Sequence, residues 1–111
     1  MAQVNVKVLE AKAGIITEVE FAGRTFAKVE AGTSPQEGDL MLALQPSLDV
    51  TEGAFYEIVD VDYDDEAFFY DDDADKTGRY PDEDEEKTLF FRAVTTFEKF
   101  EVGDYARIIN N

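Results

Sequence analysis

The sequence predicts a single, mostly β domain, and three observations indicate it. Apolar and polar residues alternate over several short stretches, which is the pattern of half-buried strands. Clusters of Gly, Pro, Ser, Thr and Asp separate these stretches and are typical of turns. No segment sustains an apolar repeat of 3.6 residues, so we expect little helix. Several short strands joined by loops favour a small barrel or sandwich.

The size and composition of the chain allow one stable core. Its 111 residues fit one domain, residues 1–111. The apolar fraction is 44%, and nine Phe and five Tyr supply large core side chains. A chain this apolar is expected to fold despite its high charge.

The predicted strands follow from the alternation, and the predicted loops follow from the turn formers. A Gly-containing turn at 22–24 indicates an N-terminal hairpin, and 32–38 is predicted to be a loop. Residues 71–87 are almost free of apolar side chains and are predicted to be an acidic loop, and a short turn is expected at 96–100. The predicted strands cover 4–8, 15–21, 25–30, 39–44, 55–63, 67–70, 88–95 and 104–109.

The charge of the chain is strongly acidic and unevenly distributed. There are 26 acidic and 10 basic residues, for a net charge of -16. Residues 57–86 hold fifteen of the acids and only two basic residues, Lys76 and Arg79. General solubility would spread the charge over the whole surface. The concentration therefore indicates a surface that binds a basic partner and repels nucleic acid and anionic membranes.

Several kinds of chemistry are excluded by composition. The chain has no Cys and no His, so thiolate sites and catalytic triads built on His cannot form. No Gly-rich phosphate loop is present. We therefore expect no enzymatic activity, no catalytic residue, no dedicated metal site and no cofactor. The N-terminal residues lack a basic start followed by an apolar run, so we expect no secretory signal.

A partial calcium-loop pattern gives one alternative function. Asp71, Asp73 and Asp75 fall at positions 1, 3 and 5 of that pattern, and Asp82 falls at position 12. Lys76 stands where the sharp turn requires Gly, and the bidentate Glu at position 12 is missing. The pattern therefore predicts weak cation binding.

Two stretches resemble small SH3-like proteins of phages that infect Gram-positive bacteria. Residues 20–29, EFAGRTFAKV, are similar to their opening E-[YF]-x-G-[RK]-x-[YF]-x-K-V. EGDLML at 37–42, EG at 52–53 and YEIVDVD at 56–62 are similar to their later V-G-D-x-[VL], x-x-G and [YF]-x-V-x-x-V-D segments. The likeness covers about residues 18–70. It implies a small SH3-like barrel, here with an N-terminal hairpin extension and an acidic loop.

The acidic block resembles a second group, the host-takeover proteins of Bacillus phages. Some of these are DNA mimics, and one inhibits the nucleoid protein HU by occupying its DNA-binding surface. This resemblance implies a cytoplasmic inhibitor, within the host bacterium, of a basic DNA-binding protein, with HU as the leading target. The expected partner-binding residues are Glu57, Asp60, Asp62, Asp64, Asp65, Glu66, Asp71, Asp72, Asp73, Asp75, Asp82, Glu83, Asp84, Glu85 and Glu86.

Strand geometry is compatible with mimicry of phosphates. Alternate residues of a strand lie roughly 6.5–7 Å apart on one face, whereas each DNA strand carries one charge per ~3.4 Å. Asp60, Asp62 and Asp64 are predicted to form such a row along a strand. Aromatic residues interleave with the acids of this part of the chain: Tyr56, Tyr63, Phe68, Phe69, Tyr70 and Tyr80.

Two further interpretations remain open at this point. The chain is alternatively a structural or scaffolding SH3-like module whose acids serve only solubility. Restriction enzymes, RNA polymerase and DNA repair enzymes are alternative targets of a mimic, and a homodimer is left open.

Overall fold

All regular structure in the described part of the protein is β-strand. A computed structural model describes residues 3–82 and 86–94, and these residues contain no helix. In chain order the strands are β1 Gln3–Val4, β2 Lys7–Lys12, β3 Ile15–Phe21, β4 Arg24–Lys28, β5 Leu40–Ala43, β6 Phe55–Glu57, β7 Asp60–Val61, β8 Ala67–Tyr70, β9 Lys76–Arg79 and β10 Thr88–Ala93. The predicted mostly β class is confirmed. No helix among these residues is long and apolar enough to cross a membrane.

Seven strands form one antiparallel sheet in the order β1-β6-β5-β10-β4-β3-β2. β10 is central, because Phe91 pairs with Lys28 of β4 on one side and with Leu40 of β5 on the other. The late strand β10 thus joins the N-terminal hairpin strands to β5 and β6. The sheet curls into a half-barrel, in agreement with the predicted small barrel.

The remaining strands form a second, three-stranded antiparallel sheet in the order β7-β8-β9. Its inner face carries Ala67 and Phe69, which pack against Met41, Tyr56 and Phe90 of the larger sheet. The rings of Tyr56 and Phe69 lie 5.0 Å apart at a tilted angle, a favourable geometry for aromatic pairs. This core fixes the small sheet on the half-barrel, and the small sheet with its two turns carries nine of the fifteen acids of 57–86.

Strand β5 shows why an uninterrupted apolar run forms a strand here. Leu40 and Leu42 belong to one buried cluster, whereas Met41 and Ala43 belong to the other. Since successive side chains of a strand point to opposite faces, both faces of β5 are covered. The apolar run from 40 to 43 is therefore a central strand buried on both sides.

Two predicted hairpins are confirmed. β3 and β4 flank the turn at 22–23, with Phe21 paired to Arg24. β7 and β8 pair through Asp60 and Phe68, as expected for neighbouring strands. Among the described strands β2 pairs only with β3, and all six of its residues are exposed. The exposed N-terminal hairpin is therefore β2–β3, one hairpin earlier than the one predicted at 22–24.

Three predicted elements are wrong in their extent. Residues 4–8 are divided between β1 and β2. Residues 55–63 are divided between β6 and β7, which belong to different sheets. The predicted acidic loop at 71–87 contains strand β9, which pairs with β8 through Thr77 and Phe69. The predicted turn at 96–100 and strand at 104–109 lie outside the described residues.

The break after β6 has a backbone cause. The N–H of Ile58 donates to the carbonyl oxygen of Asp39 at 2.8 Å, and the carbonyl oxygen of Ile58 accepts from the N–H of Gly38 at 2.8 Å. Ile58 is therefore held against the 38–39 segment. Beyond it, the N–H of Val59 donates to the carbonyl oxygen of Phe68 at 2.8 Å, where the small sheet begins.

An ion pair anchors the loop before β5. Asp39 is only 2% exposed, and its carboxylate accepts hydrogen bonds from Arg92 Nε at 3.0 Å and Arg92 Nη2 at 2.9 Å. The same carboxylate accepts the N–H of Gln36 at 2.9 Å, and Arg92 Nη2 also donates to the carbonyl oxygen of Ser34 at 2.7 Å. The hydrogen bond to Asp39 raises the pKa of Arg92 above its ordinary value. Arg92 thus ties the 34–39 loop to central strand β10.

Candidate partner-binding surface

The two turns of the small sheet are built in the same way from their own aspartates. In the β7–β8 turn, Asp62 Oδ1 accepts the backbone N–H groups of Asp64 at 2.9 Å and Glu66 at 3.0 Å. In the β8–β9 turn, Asp71 Oδ1 accepts those of Asp73 at 3.0 Å and Asp75 at 2.9 Å. Aspartate is a frequent turn former because its side chain can satisfy nearby backbone donors in this manner.

The backbones of the two turns also match. The fourth residue of each turn has a left-handed conformation, with φ of 64° at Asp65 and 65° at Ala74. In both turns the N–H of this residue donates to the carbonyl oxygen of the first residue, Asp62 or Asp71. The acidic segments are therefore ordered turns, whose backbones are held by the carboxylates of Asp62 and Asp71.

These turns correct the predicted row of phosphate-like charges. Asp60 lies in β7, but Asp62 and Asp64 lie in the turn that follows it. The side chain of Asp62 points back to its own backbone donors, whereas Asp64 is exposed. The three carboxylates therefore do not form a row along one strand, and the exposed charges are instead grouped at the turns.

Asp71 was expected to bind the partner, but it does not lie on the exposed surface. Its side chain is buried, with 5% exposure, and Oδ2 accepts the hydroxyl of Thr77 at 2.9 Å. Burial by itself raises the pKa of Asp71, but hydrogen bonds from the N–H groups of Asp75 and Asp73 and from the Thr77 hydroxyl outweigh it. The pKa is thus lowered, and the role of Asp71 is to stabilise the turn.

Asp72 connects the β8–β9 turn to the larger sheet. Its carboxylate accepts Gln3 Nε2 at 2.9 Å, Thr51 Oγ1 at 2.6 Å and the hydroxyl of Tyr56 at 2.8 Å. The hydrogen bonds from Thr51 and then Gln3 are the main causes that lower the pKa of Asp72. Although Asp72 lies at the surface, its oxygens are already occupied by partners within the protein.

Acidification tests these structural carboxylates. Both have folded-state pKa values below the ordinary value of 3.8. A depressed folded pKa contributes stability that is present above the unfolded pKa and is lost as pH falls through the folded one. We therefore expect the melting temperature to fall between pH 5 and pH 3.

Substitution of Asp71 tests whether this residue, among the acids of the turn, stabilises the fold. Asp71→Ala removes the acceptor of three donors and should lower the melting temperature at pH 7 more than Asp71→Asn, which keeps Oδ1 as an acceptor. Asp73→Asn, at an exposed position of the same turn, is the matched control and should change the melting temperature little. Equal melting temperatures for the three variants would contradict the assigned role of Asp71.

A third group of carboxylates forms around Asp49, which sequence analysis did not identify. Carboxylate oxygens of Asp49, Asp73 and Asp75 lie within 4.8 Å of one another, and all three residues are exposed. The carbonyl oxygen of Asp49 accepts the N–H of Asp72 at 2.8 Å, which positions the two loops. Partial loss of hydration at its carboxylate, followed by the nearby negative charges beginning with Asp73, raises the pKa of Asp49.

This arrangement differs from the predicted calcium pattern. The oxygens of Asp71 bind backbone and hydroxyl donors, so Asp71 is not available as a ligand. Asp82 is not part of the carboxylate group that forms among the described residues. Two of the four predicted ligands, Asp73 and Asp75, do lie together, but the third carboxylate of the group comes from Asp49. Asp49, Asp73 and Asp75 thus form a local concentration of negative charge that differs from a calcium loop.

The outer face of the small sheet combines charged and aromatic side chains. Asp60 of β7 pairs with Phe68 of β8, and Lys76 Nζ lies 3.2 Å from Asp60 Oδ2 and 5.3 Å from the centre of the Phe68 ring. Glu66 lies over Gly78, where a Cβ atom would overlap its carboxylate, and its hydrogen bond with Tyr80 raises the pKa of that phenol.

The aromatic residues of the acidic segment are divided between core and surface. Tyr56 and Phe69 are fully buried and belong to the core, contrary to a role on the binding surface. Tyr63, in the β7–β8 turn, is 95% exposed, and Tyr70 is 45% exposed. Apolar ring surface is therefore available beside the exposed acids.

The remaining predicted site residues fall into three groups. Glu57, Asp73, Asp75, Asp82 and Glu86 are exposed, as are Asp64 and Asp65, the latter accepting the hydroxyl of Ser34 at 2.9 Å. Asp60, Asp62 and Glu66 are half-buried. Glu83, Asp84 and Glu85 lie outside the described residues.

Comparison of the chain with protein-family models, with curated proteins and with solved structures finds no match.

Proposed function

We propose that the protein is a DNA mimic that binds and inhibits a basic DNA-binding protein of a host bacterium. The leading target is the nucleoid protein HU, and the site of action is the host cytoplasm. The binding surface consists of the exposed acids at the two turns of the small sheet and on the strands beside them. No catalysis is required, because inhibition follows from occupying the partner's DNA-binding surface.

The observation that carries this proposal is an ordered concentration of negative charge. The exposed carboxylates of Asp64, Asp73 and Asp75 project from turns whose backbones are fixed by Asp62 and Asp71. A surface whose backbone is already ordered loses less conformational freedom when a partner binds. The partner's Lys and Arg side chains would meet carboxylates in the place of phosphates.

Charge also determines which class of partner is favoured. A net charge of -16 repels DNA and anionic membranes, and it attracts basic proteins over long range. The resemblance to acidic Bacillus-phage proteins supports HU among the basic candidates. Residues 57–86 hold fifteen acids and two basic residues. A basic partner is therefore attracted most strongly to this part of the chain.

Competition for HU tests the proposal. We expect the intact protein to displace a short duplex from HU at low salt in a gel-shift titration. Displacement should weaken steeply as salt is raised, because salt screens the exposed charges. If the protein fails to displace DNA at low salt, HU is the wrong target.

A scaffolding module is the second candidate, and one observation favours it. The β2–β3 hairpin exposes Val8, Leu9 and Ile15, which are between 42% and 50% exposed. Apolar surface of this kind is typical of contacts between proteins. A partner bound through the hairpin would remain bound at high salt, so salt dependence distinguishes the two functions.

A further inference from the structure

The outer face of the small sheet already holds a positively charged group, the side chain of Lys76. The ammonium group of Lys76 is paired with the Asp60 carboxylate and also lies over the Phe68 ring. About half of each charged side chain remains exposed, 46% for Lys76 and 49% for Asp60. This position therefore offers a cation both a carboxylate and an aromatic face.

Strand register explains how the three residues meet. Asp60 and Phe68 are direct partners across β7 and β8, whereas Lys76 is the partner of Tyr70 across β8 and β9. Phe68 and Tyr70 are two residues apart and lie on the same face of β8. The long side chain of Lys76 thus crosses Phe68 diagonally to reach Asp60.

We infer that Asp60 and Phe68 form a subsite for a Lys or Arg side chain of the basic partner, and that Lys76 occupies this subsite in the free protein. The inference deepens the proposed function and rests on it for the nature of the partner. The Phe68 ring and the Asp60 carboxylate together define where the cation lies.

The chemistry of the subsite fits a cationic partner. Aromatic faces attract ammonium and guanidinium groups, and a guanidinium can stack on a ring while it donates to a carboxylate. Tyr70, adjacent on the same face and 45% exposed, extends the aromatic surface. A partner side chain must displace Lys76, so Lys76 acts as a competitor within the protein.

The first test removes the positive charge of Lys76, which competes with the partner for the subsite. Lys76→Gln and the matched control Lys12→Gln each remove one positive charge, and Lys12 lies on exposed strand β2 of the other sheet. Calorimetric titration with HU at low salt should show about threefold tighter binding for Lys76→Gln, and a smaller gain for Lys12→Gln. Equal gains, or weaker binding by Lys76→Gln, would overturn the inference.

Removal of the ring is the second test. Phe68→Leu keeps an apolar side chain but removes the aromatic face, and we expect it to weaken HU binding about twofold to threefold in the Lys76→Gln background. Phe21→Leu, at a half-buried position on β3 of the larger sheet, is the matched control and should leave binding unchanged. Unchanged binding by Phe68→Leu would contradict a role for the ring.

A peptide probe separates the subsite from the proposed function. In NMR spectra of isotope-labelled protein titrated with a tetra-arginine peptide, the ring signals of Phe68 and the carboxylate signal of Asp60 should shift. Such shifts support the subsite even if HU does not bind, in which case only the proposed target fails. If HU binds but neither ligand moves these signals, the subsite is refuted and the proposed function stands. If neither ligand binds, both are wrong.

Discussion

Neutralising four exposed acids of the proposed binding surface should weaken competition for HU by about thirtyfold. The variant combines Glu57→Gln, Asp64→Asn, Asp73→Asn and Asp75→Asn, all at exposed positions whose side chains accept no hydrogen bond in the described part of the protein. The estimate takes about 0.5 kcal/mol for each exposed charge pair, and about 2 kcal/mol corresponds to this factor. A gel-shift titration of HU bound to a short duplex measures it.

A second variant controls for the total charge. Glu18→Gln, Glu20→Gln, Glu30→Gln and Glu37→Gln also remove four negative charges, but from the larger sheet and its loops. Because long-range attraction alone is affected, we expect a loss of less than about fivefold. Equal losses in the two variants would show that only net charge matters, and a specific mimic surface would be excluded.

Arg92→Leu should lower the free energy of unfolding by about 3 kcal/mol. The substitution leaves the Asp39 carboxylate buried with only the N–H of Gln36 as a described donor. Removing one partner of a buried ion pair is expected to cost this much, and the partial exposure of Arg92 keeps the value at the lower end of the usual range. Urea unfolding followed by far-UV circular dichroism measures the change.

A double-mutant cycle tests whether the effect belongs to the pair. Asp39→Asn and Arg92→Gln are combined and compared with each single substitution. The double variant should be less destabilised than the sum of the two single variants, because neither charge is left buried alone. Additive losses would mean that Asp39 and Arg92 stabilise the fold independently.

The β class and several strands could be predicted from local patterns, but the division into two sheets could not. Apolar residues recur through 55–63 without a Gly or Pro to mark a break. The break at Ile58 depends on backbone hydrogen bonds to Gly38 and Asp39, about twenty residues earlier in the chain. Local periodicity carries no information about such distant partners, so one long strand was predicted.

The acidic character of the proposed binding surface is evident from composition, whereas the roles of single acids are not. Asp71 and Asp73 are both in one run of aspartates, yet one is buried in the turn and the other is exposed. Their difference depends on which residue begins the turn, and the recurrence of an Asp followed four residues later by another acid is the only sequence signal for it. Asp49 joins Asp73 and Asp75 from another loop, through a contact that no local pattern predicts.

The most direct test of the central claim compares the surface that this protein occupies on HU with the surface that DNA occupies. Backbone amide signals of labelled HU are recorded with a short duplex and, separately, with the intact protein at low salt. DNA mimicry predicts that the same set of HU residues shifts in both titrations, and that each ligand prevents the other from binding. Shifts in a different set of HU residues, or simultaneous binding of duplex and protein, would contradict the account.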